Sequence, residues 1–221
     1  HIEAHSFPTR RSSDLVVAGG DELVVGAPQI FINTGAESII PDIPGVDKPF
    51  VYTSTELLDR MTQPKQLAII GGGYIGLEFA STYAKLGTKV TVFERGDALL
   101  AREDPAIARA ATEALQAQGI EIVFSVDVTA IEGESTATIR TVNHDDYAGY
   151  DAVLMATGRR PATMSLNLPA AGVATDERGA IVVDETLRTS RSHIWAMGDV
   201  TGGPQFTYAS LDDFRIVRSQ L

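Results

Sequence analysis

Residues 66–94 read Gln66-Leu-Ala-Ile-Ile-Gly-Gly-Gly-Tyr-Ile-Gly-Leu-Glu-Phe-Ala80, then Ser81-Thr-Tyr-Ala-Lys-Leu-Gly87, then Thr88-Lys-Val-Thr-Val-Phe-Glu94. The apolar run Leu67 to Ile70 predicts a buried parallel strand. Gly71, Gly73 and Gly76 form a G-x-G-x-x-G turn. A helix opens at once, with Ile75, Phe79, Tyr83 and Leu86 on one stripe. Gly87 supplies the left-handed residue past its end. A second strand, Lys89 to Phe93, finishes on Glu94.

Each residue type in this stretch has a physical task. Gly71 lets the chain turn sharply off the strand. Gly73 lacks a side chain, so a pyrophosphate can approach the backbone. Gly76 lets helix and strand pack closely. The helix N-terminus offers N–H groups and a positive dipole end to phosphates. Glu94, 18 residues after Gly76, can accept hydrogen bonds from an adenosine ribose. A lone glycine motif is weak evidence; strand, glycines, helix, strand and terminal acid in register are strong evidence.

Working outward, the whole chain has 221 residues, 44% hydrophobic content and a formal net charge of −11. That is a globular chain holding one large domain or two small ones. With no basic cluster, nucleic acid and anionic membrane are poor partners. No apolar run approaches the roughly 20 residues that span a bilayer, and no positively charged start followed by an apolar stretch suggests a signal peptide. With no cysteine, disulfides, thiolate metal sites and thiol chemistry are excluded, and no metal site is expected. The composition fits a reducing cytoplasm.

Residues 1–15 show no periodicity and no fit to the rest of the chain. They read as a non-native leader resembling translated adapter read-through, or else as a disordered native terminus. The chain begins at His1 rather than Met, so the reading is of a fragment. From Val16, two apolar runs flank Gly19-Gly20-Asp21, predicting a hairpin. Gln29 to Gly35 reads as a buried strand ending in Thr34-Gly35, and Pro41, Pro44 and Gly45 as an extended linker. Thr53 and Glu56 form a capping-box pattern before a short helix through Leu57, Leu58 and Met61.

After Glu94, Asp104 and Pro105 suit the start of a helix running to Gly119. Glu121 to Phe124 is the next strand. Val126–Ile131 and Thr136–Val142 predict a hairpin, Asp145-Asp146 a turn, and Tyr150–Ala156 a buried strand ending in Thr157-Gly158. Gly179–Asp184 and His193–Asp199 read as strands, and Thr207–Leu221 as a helix with Phe214 and Val217 apolar. The two Thr-Gly exits suggest two similar domains, residues 65–157 being inserted in the other. A strand ending Gly198-Asp199 before a helix could hold a polyol through the Asp carboxylate, or could be a surface turn.

These motifs together resemble the pyridine nucleotide-disulfide oxidoreductase family, from Val16 to Leu221. The matching segments are Ile32-Asn-Thr-Gly35, Gly71 through Glu78, Met155-Ala-Thr-Gly-Arg-Arg-Pro161 and Ile194-Trp-Ala-Met-Gly-Asp199. The tail looks most like the mercuric-reductase-like branch linked to reactive-chlorine resistance. The resemblance implies an α/β fold: a Rossmann-like, doubly wound, three-layer NAD-binding domain inserted in a partial, discontinuous FAD-binding domain. It implies a partial FAD-binding domain at 16–55, an NAD(P)-binding domain at 56–160 and a return to the FAD-binding domain at 161–221. Gly71, Gly73, Ile75, Gly76 and Glu94 would lie on the dinucleotide, with Arg95 beside it. Glu78 would lie near the nicotinamide amide, and Tyr74 would be the flap over the flavin. Gly198 and Asp199 would hold the ribityl chain; Thr34, Gly35, Gly158 and Arg159 would lie near the flavin.

Blander alternatives stand beside these roles. Tyr74 could cap the sheet, Glu78 could be a solvated helix residue, and Arg159 and Arg160 could be surface charges. The resemblance further implies that a first FAD strand, a cysteine pair and a dimerisation domain with a His-Glu pair lie outside this chain. His144 and His193 match no motif and are not candidates for that role. The expected function is hydride transfer from NADH to FAD and on to a disulfide, metal ion or other acceptor. The alternatives are a dinucleotide-binding module without turnover, or part of an NADH oxidase or peroxidase. NADH is expected over NADPH because Glu94 repels a 2′-phosphate, Arg95 being the contrary sign. The fragment itself is expected to be inactive and not a native-like dimer, whereas family members are usually homodimers.

Overall fold

A computed structural model of the chain describes residues 26–143 and 145–221, together with the backbone of 17–18 and 21–22. The expected leader and His144 lie outside the described residues. The chain divides into two compact units. Ser38–Gly158 forms one; the described residues up to Glu37 and Arg159–Leu221 form the other.

The first unit begins with β1 (Val17–Ala18) and β2 (Asp21–Glu22), which pair antiparallel, Val17 opposite Glu22. The predicted hairpin is therefore present in its backbone pairing. β3 (Ile30–Ile32) and β4 (Ala36–Ser38) follow. The chain then enters the second unit, built from β5 (Val51–Tyr52), α1 (Ser54–Asp59), β6 (Gln66–Ile70), α2 (Tyr74–Lys85) and β7 (Lys89–Phe93). It continues through α3 (Pro105–Gln116), β8 (Glu121–Val123), β9 (Val128–Glu132), β10 (Ala137–Thr141), β11 (Asp146–Tyr150) and β12 (Ala152–Met155).

In the second unit five parallel strands lie in the order β5-β12-β6-β7-β8. Side chains alternate across a strand, and the two faces are used differently. Leu67, Ile69, Val90, Val92, Ala152 and Leu154 pack against Leu57 of α1, Leu77 and Ala80 of α2 and Leu115 of α3. Ala68, Ile70, Phe93, Val153 and Met155 pack instead against Ile131, Ala137, Ile139 and Tyr150. These last come from a three-stranded antiparallel sheet, order β11-β10-β9. The three layers are thus helices, parallel sheet and antiparallel sheet. Both faces of the central sheet are covered, which is why residues 67–70 of β6 and Ala152–Met155 of β12 read as unbroken apolar runs.

Several details differ from the sequence reading; α1, for one, ends at Asp59 and leaves Met61 outside it, exposed. The stretch with Pro41, Pro44 and Gly45 is no loose linker. Ile43 and Val46 join the core, Ile131 donates its N–H to the Pro44 carbonyl at 2.8 Å, and a Cβ on Gly45 would sit 1.8 Å from the Ile131 oxygen. With β5 pairing on β12, the unit boundary falls at residue 38 rather than 56. Asp146–Tyr150 is a strand of the antiparallel sheet, not part of the turn. Asp151 breaks it from β12, its carboxylate accepting from the Lys65 and Gln66 N–H groups at 2.9 and 2.7 Å. α2 buries Gly76, Leu77 and Ala80, while Leu86 is exposed. Small residues, not the aromatic stripe, set how closely it lies on the sheet. Gly179–Asp184 forms isolated bridges, Thr175 with Ile181 and Val183 with Thr189, rather than a strand.

The chain re-enters the first unit through β13 (Arg159–Pro161), which pairs with β4, followed by α4 (Leu168–Ala171), β14 (Ile194–Ala196) and α5 (Thr207–Arg218). β14 runs parallel to β3, Ile194 opposite Ile30 and Ala196 opposite Ile32. Ile194 and Ala196 face one cluster with Leu168, Val173, Ile181 and Val200. Trp195 and Met197 face another with Leu187 and Val217. β3 itself is only half-buried, and Phe31 is exposed at its edge while stacking on Trp195. No helix among the described residues is long and apolar enough to cross a membrane.

Candidate functional site

The glycine turn is built by three different constraints. Gly71 has φ 112°, and a Cβ there would lie 2.4 Å from the Ala156 carbonyl oxygen; both facts demand glycine. Gly76 has ordinary helical backbone, yet its Cβ would lie 2.2 Å from the Gly71 oxygen and 3.3 Å from Ile69 Cγ2. That position sets the approach of α2 to β6. Gly73 is the opposite case: a Cβ there would meet nothing within 4 Å. Its glycine answers no packing need inside the protein. As the N-cap of α2 it also brings no side chain to the first turn, and that turn holds no acidic residue. The helix start is therefore open to an anion.

Glu94 stands at the end of β7, half-buried. Its Oε2 accepts from the Gly72 N–H at 2.7 Å, and its Oε1 from the Gly96 N–H at 2.6 Å. An ionised carboxylate has about four lone-pair sites, so two bonds leave capacity for hydroxyl donors. Gly72 went unremarked in the sequence. It is buried, and a Cβ there would come within 2.8 Å of Glu94 Oε2 and 2.6 Å of Leu99 Cδ2. The middle glycine of the three therefore makes room for the acid. A run of three glycines where the motif needs two was the signal.

The segment after Glu94 folds back over this turn. Leu99 is fully buried, and Leu100, at φ 49°, donates its N–H to the Gly72 oxygen at 3.0 Å. Tyr74 is half-exposed and its hydroxyl donates to the Glu103 carboxylate. Tyr74, Leu77, Glu78, Ser81, Thr82 and Leu100 line an open groove of about 410 Å³. Ile75 is half-buried. Arg95 is largely exposed, its Nε 3.9 Å from Asp127 Oδ1. Glu103 and Asp127 carried no local motif, since each reaches the site only through tertiary packing.

The first unit gathers a separate set. Asn33, Gly35, Asp199, Gln205, Phe206, Thr207 and Ser210 line a groove of about 280 Å³. Gly35 is left-handed at φ 73°, with nothing within 4 Å of a Cβ position. Gly198 is left-handed too, and its N–H donates to Asp213 Oδ2 at 2.8 Å. Asp199 is half-buried beside it. The Thr34 hydroxyl is turned to the Ala162 carbonyl at 2.9 Å, and Arg159 donates to the Ala36 carbonyl. Arg160 pairs with Glu37 at 2.8 Å. Gly158 is the last residue of the second unit; at φ 131°, its carbonyl accepts from the Ile39 N–H of that same unit at 2.9 Å. His193 is half-buried and lines neither groove.

The strand, glycine turn, helix and acid-ended strand form a Rossmann-like βαβ unit, carried in a chain of two α/β units. The profile of the pyridine nucleotide-disulphide oxidoreductases matches residues 5–213, and the chain belongs to that family. A probable pyridine nucleotide-disulfide oxidoreductase RclA of Escherichia coli K12 is 50% identical over 200 residues, covering 90% of this chain and 45% of that protein. A mercuric reductase of Bacillus cereus is 40% identical over 205 residues, covering 90% of this chain and 32% of that protein. Among solved structures, the HOCl-induced flavoprotein disulfide reductase RclA from Escherichia coli superposes with a TM-score of 0.85 at 49% identity. That match covers 90% of this chain and 46% of that one. The chain thus spans less than half the length of these relatives.

Proposed function

We propose that this chain carries the nicotinamide-dinucleotide site of a flavin-dependent oxidoreductase, together with part of its flavin site. The observation that carries the reading is Gly73. It is a glycine with open space where a side chain would stand, at the head of an uncapped helix, between two glycines that packing already explains. A pyrophosphate is the group such a position admits. Gly71, Gly73, Ile75 and Gly76 would hold it, and Glu94 would accept hydrogen bonds from the adenosine ribose hydroxyls.

In the first unit Gly198 and Asp199 would hold the ribityl chain of FAD, with Thr34, Gly35 and Arg159 near the flavin, and Gly158, which precedes Arg159 in the chain, near it too. When bound, the nicotinamide supplies a hydride and the flavin accepts it. The chain's own work is positioning. Glu78 would orient the nicotinamide amide, and Tyr74 would exclude water until the site fills. The onward acceptor would be a disulfide, a metal ion or another oxidant.

NADH is the proposed donor. A carboxylate at Glu94 pairs with ribose hydroxyls and repels a 2′-phosphate. Fluorescence titration tests this directly. Glu94→Ala is expected to weaken NADH about tenfold or more, by loss of charge-assisted hydrogen bonds, and NADPH much less. Tighter binding of NADPH than NADH by the unmodified chain would refute the assignment. A second reading is a dinucleotide-binding module without turnover, favoured by the absence of cysteine and by a single G-x-G-x-x-G in the 221 residues.

A further inference from the structure

Resting on the adenosine-ribose site proposed at Glu94, we infer that Asp127 is a positioning residue for cofactor choice. It holds the Arg95 guanidinium in an ion pair and so withholds from a 2′-phosphate the cation next to Glu94 in the chain. The geometry joins two segments far apart in the sequence. Glu94 donates its N–H to the Val123 carbonyl at 2.8 Å, Ser125 donates to the Gly96 carbonyl at 2.8 Å, and Val126 donates to the Glu94 carbonyl at 3.1 Å. Ser125 takes a left-handed conformation, φ 54°, to make the turn. The Asp127 carbonyl in turn accepts from Val142 N–H at 2.9 Å. The backbone before Asp127 is therefore fixed against the end of β7, and Asp127 itself against Val142, just past β10. Its Oδ1 lies 3.9 Å from Arg95 Nε.

An arginine beside the acid of a dinucleotide fold is the group that would accommodate a 2′-phosphate, because its planar guanidinium matches phosphate oxygens. Here a second carboxylate already engages it. The Arg95 and Asp127 side chains are 82% and 59% exposed, so the pair is weak and screened by salt. That sets a modest scale and a diagnostic one.

The test is titration of the full 221-residue chain with NADH and with NADPH at low ionic strength. Asp127→Asn, which keeps the shape and removes the charge, is expected to tighten NADPH about three- to fivefold. NADH should change by less than about twofold. The gain should fade in about 0.5 M salt, which a purely structural role would not produce. Asp127→Glu should restore the unmodified preference. In an Arg95→Ala background the gain from Asp127→Asn should vanish. An unmoved NADPH-to-NADH ratio in Asp127→Asn, or an equal shift without Arg95, overturns the inference while leaving the Glu94 site standing. If the unmodified chain binds no NADH at all, the dinucleotide reading falls and this inference with it.

Discussion

Gly73 and Gly76 look alike in the sequence and differ wholly in the structure. A methyl group at Gly76 would collide with the Gly71 carbonyl, a backbone atom that cannot step aside, whereas at Gly73 it would meet no atom of the protein. Gly76→Ala is therefore expected to destabilise the fold by about 2 kcal/mol, in the range for overpacking. Gly73→Ala should cost at most about 1 kcal/mol, as an N-cap change, yet weaken NADH about tenfold or more by filling the phosphate approach. Thermal unfolding and NADH titration of both variants separate the two roles. A Gly73→Ala protein that binds NADH normally would remove the main support for the site. The place of Glu94 at the end of β7 was legible, because the apolar pattern that makes the strand is local. Gly72 and Asp127 were not, because their partners are reached only through the fold.

At the scale of elements, helix caps were the most readable features because their chemistry is local. Thr53 Oγ1 accepts from the Glu56 N–H at 3.4 Å, and the Glu56 carboxylate accepts from the Thr53 N–H at 2.7 Å and hydroxyl at 2.8 Å. These bonds, the backbone one first, hold the Glu56 carboxyl below its ordinary value of 4.5. A lowered folded value means the contribution is fully present above the unfolded value and is lost as pH falls through the folded one. Glu56→Ala should cost about 1 kcal/mol at neutral pH and progressively less below about pH 4. Urea unfolding of both proteins across that range checks the sign: a penalty that grew on acidification would contradict it. The burial of α2 was less legible. Phe79 and Tyr83 have the period of a core face, but the sheet lies against Gly76 and Ala80, whose small size lets the backbones approach.

At the scale of the molecule, the two units are unequally equipped. The second has two cores, one on each face of its parallel sheet. The first has smaller clusters and a groove of about 280 Å³, just below the roughly 300–1,000 Å³ that ligand pockets occupy. FAD is larger than most such ligands, and the chain's single G-x-G-x-x-G lies in the other unit. The purified chain is therefore expected to bind NADH yet retain little or no flavin. A yellow preparation with visible flavin absorbance would contradict this.

By itself the sequence determined the βαβ unit, its glycine turn, the acid after the second strand and the caps of α1 and α3. All of these arise from neighbours a few residues apart, where backbone conformation and hydrogen bonding leave little choice. Tertiary structure alone decided that residues 38–55 belong with the parallel sheet, and that a separate antiparallel sheet covers its second face. It also decided that Gly72 makes room for Glu94 and that Asp127 meets Arg95. Those outcomes depend on which faces are buried against which, and no local pattern encodes the partner.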